Sequence, residues 1–191
     1  MVDNIKKIMN YSFTDLDLKH FLGDDAKILQ YKDLKTYKSL DELLPKDEDF
    51  AVILIETAKK SGHWCCLIKS YGLLEWWDSY GYDIDKEFSC IPTFIQFRLH
   101  ESNRDLTKLI DSSLLECRYN DKQLQSRKDF VSTCGRWVVW RLLQWKRGMD
   151  LGKFLRYLDF LKSQNDLKGD LAYDVLCIRE IPYMGFKNNE V

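Results

Sequence analysis

Four residues of this chain, in the order His63, Asp78, Gln125 and Cys134, have the types and spacing for acyl-transfer chemistry. Cys134 lies in Val131-Ser132-Thr133-Cys134-Gly135-Arg136-Trp137, where a polar loop becomes an apolar run ending at Trp145. The run places Trp137, Val138, Val139, Trp140, Leu142, Leu143 and Trp145 around nearly the whole of a helical wheel, which predicts a buried helix. A thiol at its N-terminus meets unpaired backbone N–H groups and the positive end of the helix dipole, which favour a thiolate. Cys134 is therefore the expected nucleophile.

The other three residues would supply a base, an orienter and an oxyanion donor. His63 opens one expected strand and Asp78 ends the next, with the turn Ser70-Tyr71-Gly72 between them. In a hairpin the two would share one sheet edge, close enough for a carboxylate–imidazole bond that fixes the ring's tautomer and supports its cation. The imidazole could then take the Cys134 proton. Gln125 precedes the cysteine loop, where its amide and the Cys134 backbone N–H would make an oxyanion hole. Gln123 competes for that role. On a strand the two glutamines share a face, and Gln125 is preferred only as the nearer to the loop. Taken singly, each residue has an ordinary reading: a half-buried strand histidine, a turn aspartate, a core cysteine. The ordered set carries the functional one.

The positioning elements follow from pattern. Thr14 caps a short helix closed by Gly23, Lys27 to Tyr31 reads as a short strand, and Ser39 caps a second helix before Pro45. Phe50 to Ile55 is a continuous apolar run expected to form a buried central strand. Lys59 to Gly62 is a turn, His63 to Lys69 and Leu73 to Asp78 are strands, and together they predict an antiparallel meander. Residues 83 to 103 stay ambiguous. Arg104 to Glu116 reads as an amphipathic helix and Cys117 to Gln125 as a further strand. The buried helix runs from Cys134 to Arg147, followed by helices from Asp150 to Lys162 and from Asp170 to Ile178, with a loose tail from Phe186. One domain over 1–191 is expected, with its core at about 50–147.

A net charge of -1 steers the whole molecule toward neither nucleic acid nor an anionic membrane. The cluster Lys146, Arg147, Lys153 and Arg156 reads best as a solvated helix end. No apolar run approaches the roughly 20 residues of a membrane span, and the polar start has no signal-peptide core. The 6 cysteines are therefore expected to be reduced and mostly buried. No C-x-x-C pair occurs, and Cys65 and Cys66 on one strand would point to opposite faces, so no metal site is expected.

Gly62-His63-Trp64, then Asp78, then a glutamine, then Cys134-Gly135, resembles the adenain / SUMO-protease superfamily of cysteine proteases, which has this chain order. Ser132 to Trp137 is most similar to the capsid-maturation proteases of virophages, Polinton-type elements and large DNA viruses. The resemblance covers roughly residues 50 to 147. It implies an α+β, papain-like or adenain-like fold: a central, mostly antiparallel sheet packed on a buried helix with the nucleophile at its head. It implies cysteine endopeptidase activity on capsid or core precursors, in the virion and the host-cell cytoplasm, without cofactor. Trp64 and Gly135 would contact substrate. Adenain is stimulated by a peptide and by DNA, so such an activator is a possible partner; a monomer is preferred. The Gln125–Cys134 loop is longer than usual for the family, and the His63–Asp78 interval slightly short. Two alternatives stand beside this reading. One is an isopeptidase or acyltransferase acting on a ubiquitin-like protein. The other is a non-catalytic module that holds a peptide with Trp64, Trp76, Trp77 and Tyr80.

Overall fold

The computed structural model describes residues 2–58, 61–101 and 103–183. The fold is α+β, with a five-stranded mixed sheet and several helices, and the chain divides into two compact units. One unit is the continuous segment 25–123; the other combines 1–24 with 124–191.

The continuous unit holds the sheet, in the strand order β1 (Lys27–Gln30), β2 (Phe50–Ala58), β3 (Ser61–Ser70), β4 (Leu73–Trp77), β5 (Glu116–Tyr119). The expected antiparallel meander is its centre, β2–β3–β4. At either edge the pairing is parallel, β1 with β2 and β4 with β5, so the sheet is mixed, while most of its paired residues are antiparallel as expected. The reason is connection length. Parallel neighbours need a long crossover, usually containing a helix. The stretch between β1 and β2 contains the short helix α3 (Leu40–Leu43), and that between β4 and β5 contains α4 (Thr93–Leu99) and α5 (Asp105–Asp111). One sheet face, bearing Ala51, Ile53, Ile55, Cys65, Leu67, Leu74 and Trp76, packs with Leu34, Leu40, Leu43, Phe88, Leu106 and Leu109 of these crossovers.

The other unit is helical. It contains α1 (Val2–Met9), α2 (Asp15–Leu22), α6 (Cys134–Lys146), α7 (Leu151–Gln164) and α8 (Ala172–Glu180). Thr14 caps α2 in a reciprocal capping box with Asp17, and Asp150 caps α7. α6 is buried around most of its circumference, including Trp137, Val138, Val139, Trp140 and Leu142. Its indole pair Trp137–Trp140 stacks at 5.3 Å, and Trp140 meets Phe154 of α7 edge-on.

Two expectations need correction. Cys117 to Gln125 is not one strand: β5 ends at Tyr119, and residues 120–133 form no regular element. The predicted helix from Arg104 to Glu116 is shorter, Asp105–Asp111. Lys59 and Lys60 of the expected turn, and the tail from Phe186, lie outside the described residues.

Candidate active site

The β3–β4 hairpin positions the candidate base, His63. Tyr71 and Gly72 both have positive φ, 42° and 85°, the signature of a two-residue turn matched to strand twist. Such a turn fixes the register, with Ser70 opposite Leu73 and Cys66 opposite Trp77. Continued past the end of β4, this register sets Cys65 opposite Asp78 and His63 opposite Tyr80. The side chains agree: His63 Nε2 lies 3.0 Å from Asp78 Oδ1, and the His63 ring stacks on Tyr80 at 4.5 Å. Asp78 Oδ1 also accepts the Tyr80 N–H at 2.6 Å, and the Asp78 carbonyl accepts Asn120 Nδ2 at 2.7 Å. Besides the ring, one donor thus holds the Asp78 carboxylate and another its backbone carbonyl. Gly62 is required on the other side of His63: a Cβ there would sit 2.2 Å from the Ile55 carbonyl oxygen.

Glu87 joins this pair. It comes from a 3-10 helix, Lys86–Cys90, whose start is anchored by Asp85 in a left-handed conformation. Asp85 accepts hydrogen bonds from the buried Tyr31 hydroxyl at 2.7 Å and from the backbone and hydroxyl of Thr107. Burial pushes the Glu87 carboxyl up to about 7, with His63 opposing and Asp78 adding to the shift. For His63, burial alone disfavours the cation, but the negative field of Glu87, Cys65 and Asp78 outweighs it and holds the imidazole well above its usual range. Burial drives the Cys65 thiol well up, so this thiol beside His63 is a poor nucleophile. Sequence reasoning did not include Glu87 or Cys65. Cys65 was legible as the residue two beyond His63 on one strand face; Glu87 sits in the stretch left ambiguous.

The helical unit holds the remaining candidates. Cys134 is the first residue of α6 and is 7% exposed. Thr133 precedes it but makes no side-chain cap; its hydroxyl donates instead to Asp174 Oδ1 at 2.5 Å. The first turn of α6 therefore keeps its N–H groups free of a capping side chain, the condition an oxyanion or thiolate needs. Asp174, on α8, also accepts the Ser126 N–H at 2.8 Å and the Trp137 indole N–H at 3.4 Å. It ties both ends of the loop before Cys134 to one carboxylate. Arg136 secures the same turn. Its guanidinium donates to the carbonyls of Tyr11, Ile181 and Tyr183 and stacks over Phe13 at 4.5 Å.

The two glutamines separate. Gln125 is buried, shares the helical unit with Cys134, and donates through Nε2 to the Val131 carbonyl at 3.3 Å inside the cysteine loop. Gln123 is exposed and ends the other unit. The strand that would have put them on one face does not exist. Trp64 is buried on β3, pointing to the face opposite His63, and Gly135 is buried in the first turn of α6. Thus His63 and Asp78 come together in the sheet unit, and Cys134, Gly135 and Gln125 lie in the helical unit.

No protein-family model matches the sequence, and no solved structure matches it. A Sputnik virophage protein named Uncharacterized protein V9 is 30% identical over 175 residues, which span 91% of this chain and 98% of the relative.

Proposed function

Because the chain belongs to the family of the Sputnik virophage protein V9, we propose that it is a virophage cysteine endopeptidase that cuts structural precursor proteins. The observation that carries the reading is the buried His63 Nε2–Asp78 Oδ1 contact of 3.0 Å. A carboxylate on one ring nitrogen leaves Nδ1 to exchange a proton with a thiol, and an aspartate this firmly held keeps the ring from turning away. In the proposed reaction Cys134 gives its proton to His63 and attacks the scissile carbonyl. The oxyanion is met by the Cys134 N–H and the Gln125 amide. His63 then protonates the leaving amine and later takes a proton from the water that releases the acyl-enzyme. The finer kinship, to adenain-like maturation proteases, belongs to the same proposal and is supported by the order His63, Asp78, Gln125, Cys134.

Co-expression with a virophage capsid precursor, read by intact mass, tests the reading. The wild-type chain is expected to yield a shortened capsid protein and Cys134→Ala the full-length one. Identical masses from the two would end it.

A further inference from the structure

Beside the His63–Asp78 pair stand two more ligating side chains, Cys65 and Glu87, that peptide hydrolysis does not require. His63, Cys65, Asp78 and Glu87 each present one ligand atom, and the four atoms all lie within 4.8 Å of one another. Three come from the hairpin: alternate residues of β3 and the residue set opposite Cys65 by the register. Glu87 comes from the 3-10 helix, which Asp85 and Tyr31 fix in place. All four are buried, at 4%, 0%, 1% and 7% exposure. Glu87 Oε2 is sealed from solvent with no hydrogen-bond partner among the described residues. A buried carboxylate oxygen without a donor calls for a proton, a water or a cation, and three further ligand atoms beside it favour the cation.

The donor chemistry narrows which cation. One imidazole, one thiol and two carboxylates make a nitrogen, sulfur and oxygen set that suits zinc and its neighbours, and the sulfur and nitrogen exclude calcium and magnesium as natural occupants. Tetrahedral bonds of the usual length put donors about 3.3–3.8 Å apart, so the cluster needs a contraction of about 1 Å at its widest. We propose that His63, Cys65, Asp78 and Glu87 form a binding site for a divalent ion of the zinc class. On binding, Cys65 and the His63 cation each release a proton to solvent, as does Glu87 where it is protonated, and they coordinate as thiolate, neutral imidazole and carboxylate. The regulatory consequence rests on the proteolytic reading: a filled site engages the His63 ring and the Asp78 carboxylate, so the base no longer serves Cys134. The ion is then a reversible off-switch, removed by a chelator.

Cobalt(II), titrated into full-length Cys134→Ala protein and brought to equilibrium, tests the site without relying on proteolysis. One cobalt per chain is expected, with the visible bands of a four-coordinate centre, a sulfur-to-metal charge-transfer band, and displacement by zinc. Cys65→Ser should lose the charge-transfer band, and Glu87→Gln should bind at least about tenfold more weakly. No charge-transfer band in the parent, or an unchanged one in Cys65→Ser, overturns the proposal. If Cys65→Ser does not fold by circular dichroism, unchanged affinity in Glu87→Gln overturns it instead. Wild-type cleavage should be blocked by zinc and restored by chelation, with Glu87→Gln requiring about tenfold more zinc. Cobalt binding without any proteolysis would remove the function and keep the site; proteolysis without cobalt binding would do the reverse.

Discussion

Exposure and reactivity make opposite forecasts for the thiols, and the contrast tests the nucleophile. Cys90 is exposed, Cys117 is half-buried, and Cys65, Cys66 and Cys177 are sealed. Accessibility alone would have iodoacetamide modify Cys90 first. The helix N-terminus, together with the imidazole of the proposed reaction, predicts Cys134 first, despite its 7% exposure. Mass mapping at sub-stoichiometric reagent decides, and modification of Cys90 ahead of Cys134 would argue against the thiolate. A second residue-level expectation concerns Asp78→Asn. An amide keeps the shape but no longer holds the imidazolium, so kcat should fall on the order of 10²–10⁴-fold with KM little changed. Gln125→Ala should lower kcat by about 10²–10³, whereas Gln123→Ala should leave it intact. A larger loss at Gln123 would reverse that assignment.

At the scale of elements, α8 holds the loop that ends at Cys134, through Asp174. Burial raises its carboxyl from 3.8 to about 6, against the pull of the Thr133, Ser126 and Trp137 donors. A carboxyl whose folded-state pKa lies above its unfolded value binds its proton more tightly when folded. Its contribution is therefore greatest at acid pH and is lost as pH rises from 3.8 through about 6, by an amount on the order of 3 kcal/mol. Urea unfolding at about pH 4 and pH 7 should show the wild type losing stability relative to Asp174→Asn across that interval. A constant difference between the two would mean the carboxyl stays ionised throughout. This tie was not legible in the sequence, because the partners are 48, 41 and 37 residues apart and no periodicity links them. The parts set by local pattern were legible: the all-round apolarity of α6, the two-residue turn at Tyr71-Gly72, and the caps Thr14 and Asp150. The direction of the edge strands was not legible, because it depends on helical stretches acting as crossovers. Gln125 was placed on a strand because Cys117 to Gln125 contains no strong breaker. The chain leaves β5 six residues earlier, where buried Asn120 turns it by binding the carbonyls of Asp78 and Lys122.

For the whole molecule, the relation to a virophage protein fits the sequence resemblance, and no helix among the described residues is long and apolar enough to cross a membrane. Stability of the helical unit should depend strongly on Arg136, which is fully buried and serves three carbonyls. Replacing it with methionine strands all three, and a loss of about 3–5 kcal/mol is expected in chemical denaturation. A loss below about 1 kcal/mol would show that the carbonyls find other donors.

The division of the chain also has a consequence in time. Residues 25–123 are one uninterrupted stretch, while the helical unit needs 1–24 together with everything after 123. On the ribosome, the sheet with His63 and Asp78 has all its residues before Cys134 is synthesised. The segment containing α1 and α2 must wait for α6 and α8, its packing partners, which are made last. Under the proposed reading, a nascent chain would carry the candidate base before the candidate nucleophile exists, and could cleave neither itself nor a neighbouring chain until Cys134 and α8 have been made.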